Sequence, residues 1–318
     1  MIVGPTASGK TGLSVALAKK LRGEVISADS MQIYRGMDVG TAKVTPEEMD
    51  GVPHHMIDVA EPEENWSVAR YVAEASRVCD GLIARGRLPV VVGGTGLYID
   101  SLIAGRDFAE NDGDDKLREQ LNADYERLGG EAMWEKLRAV DPARASILAP
   151  TDRRRIVRAL EIRALTGKTI TEHDEETRRR PPRYEARRVV LSFADRAALY
   201  ARIDRRVEQM AGEGLFEEVE SLLASGVPAD CTAMQAIGYK EAARALRGEI
   251  SRAEAIALIQ QASRRYAKRQ LTWFRRAPDA LWIEWTGEPD FSAAAEKIRN
   301  SEFGVRNQDS IESACGTC

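Results

Sequence analysis

The sequence predicts an α/β protein in which a parallel sheet core is interrupted by an all-helical domain. Strand-like and helix-like segments alternate over the first hundred residues, whereas residues 114–170 contain helix-like segments only. Such alternation is typical of parallel sheets, because the crossover between two parallel strands usually contains a helix. We therefore predict a core at 1–106 and 186–300, a helical insertion at 107–185, and a disordered tail at 301–318.

Each predicted element follows from its hydrophobic pattern. Helices are expected at 10–21, where Leu13, Leu17 and Leu21 recur at helical spacing, at 67–85 with Ser67 as N-cap, and at 96–104. The charged segment 174–188 contains two prolines and no apolar period, so we expect it to close the insertion as an irregular segment. Strands are expected for the apolar runs 1–3, 24–29, 55–60, 88–94, 189–193 and 280–285.

Composition limits the classes of protein to which the chain can belong. A net charge of −4 over 318 residues excludes a globally basic nucleic-acid binder, although a local basic face is allowed. No apolar run reaches 18 residues and the start does not resemble a signal peptide, so we expect a cytoplasmic protein without membrane association. Cys315 and Cys318 form a C-x-x-C pair in the polar tail, without a second Cys/His pair to complete a metal site.

The segment from Gly4 to Thr11, GPTASGKT, matches the phosphate-loop pattern G-x-x-x-x-G-K-[ST] between a predicted strand and a predicted helix. In such a loop, backbone N–H groups face phosphate oxygens, Lys10 adds a positive charge, and the Thr11 hydroxyl is a candidate Mg²⁺ ligand. The pattern does not distinguish a diphosphate from a triphosphate. The predicted phosphate-binding residues are Gly4, Pro5, Thr6, Ala7, Ser8, Gly9, Lys10 and Thr11.

Two further strand ends carry candidate site residues. Asp29 follows the second strand at the carboxyl edge, where open α/β sheets bind ligands. Its carboxylate could bind Mg²⁺, cap a helix or accept a proton. A later strand ends in Gly93, Gly94 and Thr95, which brings backbone and a hydroxyl group to the same edge.

Basic residues are concentrated in two late segments. Residues 153–158 read RRRIVR, and residues 264–276 contain six Lys/Arg and no acid, interleaved with Tyr266, Trp273 and Phe274. Basic and aromatic residues together favour contact with a nucleic-acid backbone over a merely solvated helix face.

Seven segments in this order resemble the tRNA dimethylallyltransferases, also called tRNA isopentenyltransferases, of the bacterial type. The resemblance covers residues 1–285 and lacks the C-terminal zinc finger of eukaryotic members. The segments are GPTASGKT, DSMQIYRGMDVGTAK, PHHMIDV, VVGGTGLY, RRRIVRALE, AIGYKE and YAKRQLTWFR.

The resemblance implies a P-loop NTPase-like, kinase-like core whose loop holds dimethylallyl diphosphate instead of ATP, with Mg²⁺ as cofactor. It implies transfer of the dimethylallyl group to N6 of the adenosine on the 3′ side of the anticodon, in tRNAs reading codons that begin with U. The expected partner is the tRNA anticodon stem-loop, and the expected state is a monomer. Two other enzymes share the loop, namely an adenylate isopentenyltransferase acting on free AMP or ADP and a small-molecule kinase.

The resemblance also implies individual roles. Asp29 matches the general base, Thr95 a threonine beside the diphosphate and the base, and the R-I-x-x-R pattern selects Arg202 and Arg206 for the diphosphate. The positions that match tRNA contacts are Asp29, Ser30, Met31, Gln32, Thr95, Arg118, Arg154, Arg155, Ile156, Val157, Arg158, Gln235, Ala236, Ile237, Gly238, Tyr239 and Lys240.

Overall fold

The computed structural model describes residues 1–106, 115–277 and 279–301 of the chain. Its strands are β1 (Ile2–Val3), β2 (Gly23–Ser27), β3 (His54–His55), β4 (Leu88–Gly93), β5 (Val189–Phe193) and β6 (Leu281–Trp285). They form one parallel sheet with the order β3-β2-β4-β1-β5-β6. This arrangement confirms the predicted α/β class.

The register places two strand ends side by side. Val3 of the short β1 lies opposite Gly93 of β4, the last residue of each strand, whereas β5, which pairs with β1 at Val189 and Val190, continues to Phe193. The phosphate loop after β1 and the Gly-Gly-Thr segment after β4 therefore meet at the carboxyl edge, where open parallel sheets bind ligands.

Helices in the first part of the chain follow the predicted pattern closely. They are α1 (Lys10–Leu21), α2 (Pro46–Met49), α3 (Val68–Ala84) and α4 (Gly96–Ala104). The Ser67 hydroxyl accepts a hydrogen bond from the backbone N–H of Arg70 at 3.1 Å, which confirms the predicted N-cap of α3.

The predicted strand at 55–60 is wrong in extent, because β3 contains only His54 and His55. Met56 and Asp58 have φ angles of 61° and 53°, in the left-handed region that extended strands do not use. The apolar character of residues 55–60 reflects the burial of Met56 and Ala60, at 4% and 0% exposure.

Residues 103–184 form a separate compact unit whose described residues contain helices and no strand. Its helices are α5 (Asp115–Leu128), α6 (Gly130–Val140), α7 (Pro142–Ala145), α8 (Arg153–Thr166) and α9 (Ile170–Arg179). The unit has its own core, built from Met133, Leu137, Ala145, Leu148, Ile156 and Ala159. The all-helical insertion of the predicted fold class is thereby confirmed.

The end of the insertion is more ordered than its charge predicts. Helix α9 runs through Arg179, although residues 174–179 were expected to be irregular. A capping box explains the start of the helix: Thr169 and Glu172 each accept a hydrogen bond from the other's backbone N–H. The helix ends just before the prolines at 181 and 182, which cannot continue it.

The remaining helices return to the sheet-containing unit. They are α10 (Arg196–Gly212), α11 (Leu215–Ala224), α12 (Tyr239–Leu246), α13 (Arg252–Phe274) and α14 (Phe291–Asn300). One apolar core lies against α1 and α14, and a second joins α11, α12 and the start of α13 to the loop after β2. Of the predicted tail at 301–318, residues 302–318, with Cys315 and Cys318, lie outside the described residues. None of the helices in the described part of the chain has the length and apolar character needed to span a membrane.

Candidate active site

The phosphate loop from Gly4 to Thr11 connects β1 to α1. Its backbone adopts φ angles of 152° at Gly4, 61° at Ala7 and 83° at Gly9. A Cβ atom at Gly4 would lie 2.7 Å from the carbonyl oxygen of Leu191, so only glycine fits there. Left-handed residues within a turn direct successive N–H groups into one concavity, which is how such loops bind anions.

Lys10 is the main cation of the loop. Its ammonium donates a hydrogen bond to the carbonyl oxygen of Pro5 at 2.7 Å. Desolvation and the charge of Arg206 lower the pKa of Lys10 to about 7, while the charge of Asp29 acts in the opposite direction. A bound polyphosphate stabilises the charged ammonium and so raises this pKa again.

Binding of an alkyl diphosphate is therefore expected to take up close to one proton at pH ~8. The free protein holds Lys10 mostly neutral above its pKa of about 7, whereas the complex holds it charged. The apparent affinity should fall as pH rises above ~7. Calorimetry in buffers of different ionisation enthalpy measures the uptake, and Lys10→Met is the control in which it should vanish. Equal proton uptake by both proteins would contradict the assignment.

One backbone amide of the loop does not face the phosphate position. The N–H of Thr6 donates to Oε1 of Gln270 at 2.9 Å, and Nε2 of Gln270 donates to the carbonyl oxygen of Gly94 at 3.1 Å. Gln270 is buried and lies on α13, 264 residues from Thr6. Its side chain joins the phosphate loop to the end of β4. The expectation that the backbone N–H groups of the loop face the ligand therefore does not hold for the N–H of Thr6.

Both predicted arginines lie beside the loop. Arg202 and Arg206 are one turn apart on α10; Nε of Arg202 donates to the carbonyl oxygen of Ala7 at 3.4 Å, and Nη1 of Arg206 is 3.5 Å from Oγ1 of Thr6. Arg202 also pairs with the exposed Glu288 at 2.5 Å. Arg206 is thus the arginine whose charge is available to an anion in the loop.

Asp29 lies in the same electrostatic environment. Its charge acts on Lys10 and Arg206, for which it opposes the lowering of the pKa by burial. Atom Oδ1 accepts hydrogen bonds from the backbone N–H groups of Met31 at 2.8 Å and Gln32 at 3.4 Å. These bonds close a turn at residues 29–32 through one oxygen and hold the carboxylate in a fixed orientation; no described helix begins here, so Asp29 does not cap a helix.

Thr95 completes the edge beside Asp29. Its hydroxyl oxygen accepts a hydrogen bond from the backbone N–H of Ser30 at 3.2 Å, and its own N–H donates to Ala28 at 3.2 Å. The ends of β2 and β4 are therefore joined directly. The structure thus brings the phosphate loop, Asp29 and Thr95 together, as the sequence predicts.

Sequence reasoning missed two residues of this region, Tyr266 and Gln270, which are one helical turn apart on α13. Burial together with the charge of Asp29 raises the pKa of Tyr266 to about 12, while the neighbouring side chains of Thr95 and Gln270 act in the opposite direction. The phenol therefore stays protonated at neutral pH. A glutamine on the buried face of an amphipathic helix was the one available indication, because buried polar groups need partners.

Two of the three late aromatic residues pack into the core instead of forming an exposed nucleic-acid contact. Phe274 is fully buried, and Trp273 packs against Gly96, where a Cβ atom would lie 2.3 Å from the indole. The indole N–H donates to Asp100 at 2.7 Å. These two rings fix the helix to the core, while the exposed cations are Arg265, Lys268 and Arg269 on α13 and Arg275 and Arg276 directly after it.

In the insertion, the predicted arginines differ in their partners. Glu161 is fully buried and pairs with Arg118 and Arg158, each at 2.8 Å. Arg155 pairs with Asp152 at 2.9 Å, while Arg154 is exposed. Both Ile156 and Val157 are buried, at 0% and 4% exposure, and Ile156 belongs to the insertion core, so neither side chain is available for the predicted tRNA contact.

The segment 235–240 is likewise mixed. Gln235 and Lys240 are exposed and Ile237 is half-buried, whereas Ala236, Gly238 and Tyr239 are buried. Only the first three have side chains that a macromolecule could reach. The buried members define the shape of the turn before α12, in which the backbone N–H of Gly238 donates to Glu241 at 2.8 Å.

Together, the fold and site define a P-loop α/β protein whose cationic loop lies next to a carboxylate and a threonine. Residues 32–277 match the family model described as IPP transferase. The chain belongs to the IPP transferase family, which confirms the resemblance seen in the sequence.

Individual relatives extend over nearly the whole chain. The tRNA dimethylallyltransferase of Halalkalibacterium halodurans is 48% identical over 312 residues, covering 97% of this chain and 98% of the relative. The crystal structure of the full-length tRNA isopentenylpyrophosphate transferase from Bacillus halodurans has a TM-score of 0.72 at 44% identity, covering 98% and 97%. A eukaryotic dimethylallyltransferase acting on tRNA has a TM-score of 0.81 at 27% identity, covering 96% and 79%.

Proposed function

We propose that the protein is a tRNA dimethylallyltransferase. It transfers the dimethylallyl group from dimethylallyl diphosphate to N6 of the adenosine on the 3′ side of the anticodon, in tRNAs reading codons that begin with U. The observation that carries this proposal is the placement of Asp29 and Thr95 beside the cationic phosphate loop, in a chain whose full-length relatives bear that name. A kinase or an adenylate isopentenyltransferase is not favoured.

The leaving group is stabilised by the loop. As the bond between the allylic carbon and the diphosphate oxygen breaks, negative charge grows on the diphosphate. Lys10 and Arg206 lie where they neutralise this charge, with the remaining loop amides. Because both cations are partly desolvated, their attraction for the diphosphate is stronger than it would be in water.

The nucleophile needs a proton acceptor. The lone pair of the adenine amine is delocalised into the ring, so N6 becomes acidic only as its bond to the allylic carbon forms. Asp29 then accepts the proton through Oδ2, because Oδ1 is already bonded to the backbone of Met31. The products are N6-dimethylallyladenosine in tRNA and diphosphate.

Mg²⁺ is proposed as the cofactor, since Mg²⁺ bound to a diphosphate needs only one or two protein ligands and completes its shell with water. Among the described residues no group of three or more His, Cys, Asp or Glu could hold a metal by itself. The loop fits a Mg²⁺ ion that is held mainly by the diphosphate and water, with the Thr11 hydroxyl as the candidate protein ligand. Mg²⁺ would supply further charge neutralisation of the leaving group.

The tRNA contacts are proposed on two separate surfaces. One is the exposed basic face of α13, and the other comprises Arg118, Arg154, Arg155 and Arg158 of the helical insertion. We propose Gln235, Ile237 and Lys240 as further tRNA contacts on the sheet-containing unit. An anticodon loop is single-stranded, so turning its adenosine out of the stack costs less than in a duplex. We further propose a cytoplasmic, monomeric enzyme.

The insertion surface is testable through the salt dependence of binding. Arg154→Ala with Arg158→Ala should lower the salt slope of tRNA binding by about 1.4–1.8, since two phosphate contacts are lost. The matched control is Arg127→Ala with Arg138→Ala, two exposed arginines of the same unit that pair with Asp124 and Glu135. If both double variants retain the wild-type slope, Arg154 and Arg158 make no phosphate contact with tRNA, and the proposed tRNA surface of the insertion is refuted.

The assignment itself is tested by substrate choice. Labelled dimethylallyl diphosphate is supplied together with tRNA, AMP or ADP, and the labelled product is identified by chromatography. We expect label in tRNA alone. Label in AMP or ADP would establish the adenylate enzyme, and phosphate transfer from labelled ATP to a small molecule would establish a kinase.

A further inference from the structure

One carboxylate far from Asp29 in sequence accepts four hydrogen bonds. Glu218 of α11 accepts from three consecutive backbone N–H groups, those of Asp38 at 2.8 Å, Val39 at 2.7 Å and Gly40 at 3.0 Å. The hydroxyl group of Tyr239 donates the fourth, at 2.5 Å. Hydrogen bonds to an ionised carboxylate are roughly twice as strong as those between neutral groups, so this cluster strongly restrains the loop.

The packing around the cluster leaves little freedom. Tyr239 is fully buried, and a Cβ atom at Gly40 would lie 2.5 Å from its ring. Burial and the neighbouring charge of Glu218 raise the pKa of Tyr239 well above its usual value. The phenol therefore remains a hydrogen-bond donor at every working pH, and the loop can approach it closely only because residue 40 is glycine.

The restrained loop in turn positions Gln32. The side-chain Nε2 of Gln32 donates to the carbonyl oxygens of Thr41 at 3.4 Å and Ala42 at 3.2 Å, the two residues that follow the cluster. On its other side, Oε1 of Gln32 accepts from the Ser27 hydroxyl at 3.2 Å. The backbone N–H of Gln32 donates to Asp29. A continuous chain of hydrogen bonds thus runs from the Glu218 loop to the carboxylate.

We propose that Glu218 is a positioning residue of the transfer reaction: it holds residues 38–42 so that Gln32 and Asp29 keep the orientation that receives the adenosine. This inference rests on the proposed function. Among the described residues, Glu218 forms these hydrogen bonds with residues 38–40 and Tyr239, none of which belongs to the phosphate loop or is proposed to bind the diphosphate, so its main effect is expected on the tRNA side of the reaction.

Glu218→Gln is the direct test, because the amide keeps the shape but points an NH₂ group at donors. We expect kcat/KM for tRNA to fall about 10- to 100-fold, as for lost hydrogen bonds to a charged group. Alkyl diphosphate binding should stay unchanged. The matched control is Glu220→Gln, an exposed carboxylate on the same helix, which should behave as wild type.

A double-mutant cycle separates positioning from stability. If Glu218 acts through Gln32, the losses from Glu218→Gln and Gln32→Leu should be strongly non-additive in kcat/KM for tRNA. Additive losses would overturn the inference, as would a variant with wild-type kcat/KM.

Tyr239→Phe covers the case in which Glu218→Gln does not fold, because it removes one of the four bonds. It should produce a smaller, tRNA-specific loss, and an equal loss for both substrates or none would overturn the inference. A wild-type protein that prenylates no tRNA would instead refute the proposed function, so the two failures are distinguishable.

Discussion

Asp29→Asn is expected to reduce kcat for tRNA prenylation by about 10²–10⁴-fold, the range for loss of a general base. The amide oxygen of asparagine can still accept the hydrogen bond from Met31, so the turn after β2 should persist. Both substrates should therefore bind nearly as in the wild type. Single-turnover kinetics with prebound tRNA and dimethylallyl diphosphate measure the chemical step directly.

The structure makes this substitution more informative than it would be from the sequence alone. Asp29 both stabilises the turn at residues 29–32 and has a proposed catalytic role, and asparagine preserves only the first. Asp29→Ala removes both roles and supplies the comparison. A rate loss of less than tenfold for asparagine, with a much larger one for alanine, would reduce Asp29 to the turn-stabilising role.

Lys10→Ala is expected to lower kcat/KM for dimethylallyl diphosphate by about 10²–10³-fold, as for removal of a group that stabilises the transition-state charge. The Lys10 ammonium donates to the Pro5 carbonyl within the loop and Arg206 lies beside Thr6, so without Lys10 only part of the neutralising charge remains. Binding of tRNA should remain nearly intact. Steady-state kinetics with each substrate varied in turn, with a separate tRNA binding assay, measure both quantities.

Lys19→Ala is the matched control, since Lys19 lies on the same helix but is exposed and pairs with Asp50. It should retain wild-type kinetics, because surface ion pairs contribute little. If Lys10→Ala loses tRNA binding but turns over dimethylallyl diphosphate as the wild type does, the loop contacts tRNA and not the diphosphate. That result would refute the proposed role of the loop.

Helix α13 illustrates how one element can carry two predictions of different quality. Its cations are exposed, as a basic segment implies, but Tyr266, Gln270, Trp273 and Phe274 follow the inward face. Helical periodicity already groups these four residues on one side. Which side faces the sheet depends on neighbours that the helix does not contain, so Trp273 and Phe274 were predicted on the exposed surface although they pack inward.

The sequence by itself determined those features whose parts are close together along the chain. The phosphate loop, the Ser67 cap and the strand and helix periods each involve fewer than twenty consecutive residues, so their local geometry follows from residue type and spacing. The placement of Asp29 and Thr95 at one edge also followed, because parallel strands end on the same side of a sheet.

Only the tertiary structure decided which distant groups complete these features. Gln270 accepts from Thr6 across 264 residues, and Glu218 accepts from Val39 across 179. The pairing of Glu161 with Arg118 spans 43. In each case a polar side chain satisfies a group made available by the packing of separate elements. No spacing rule encodes such a contact, because the partner is determined by where the two elements meet in space.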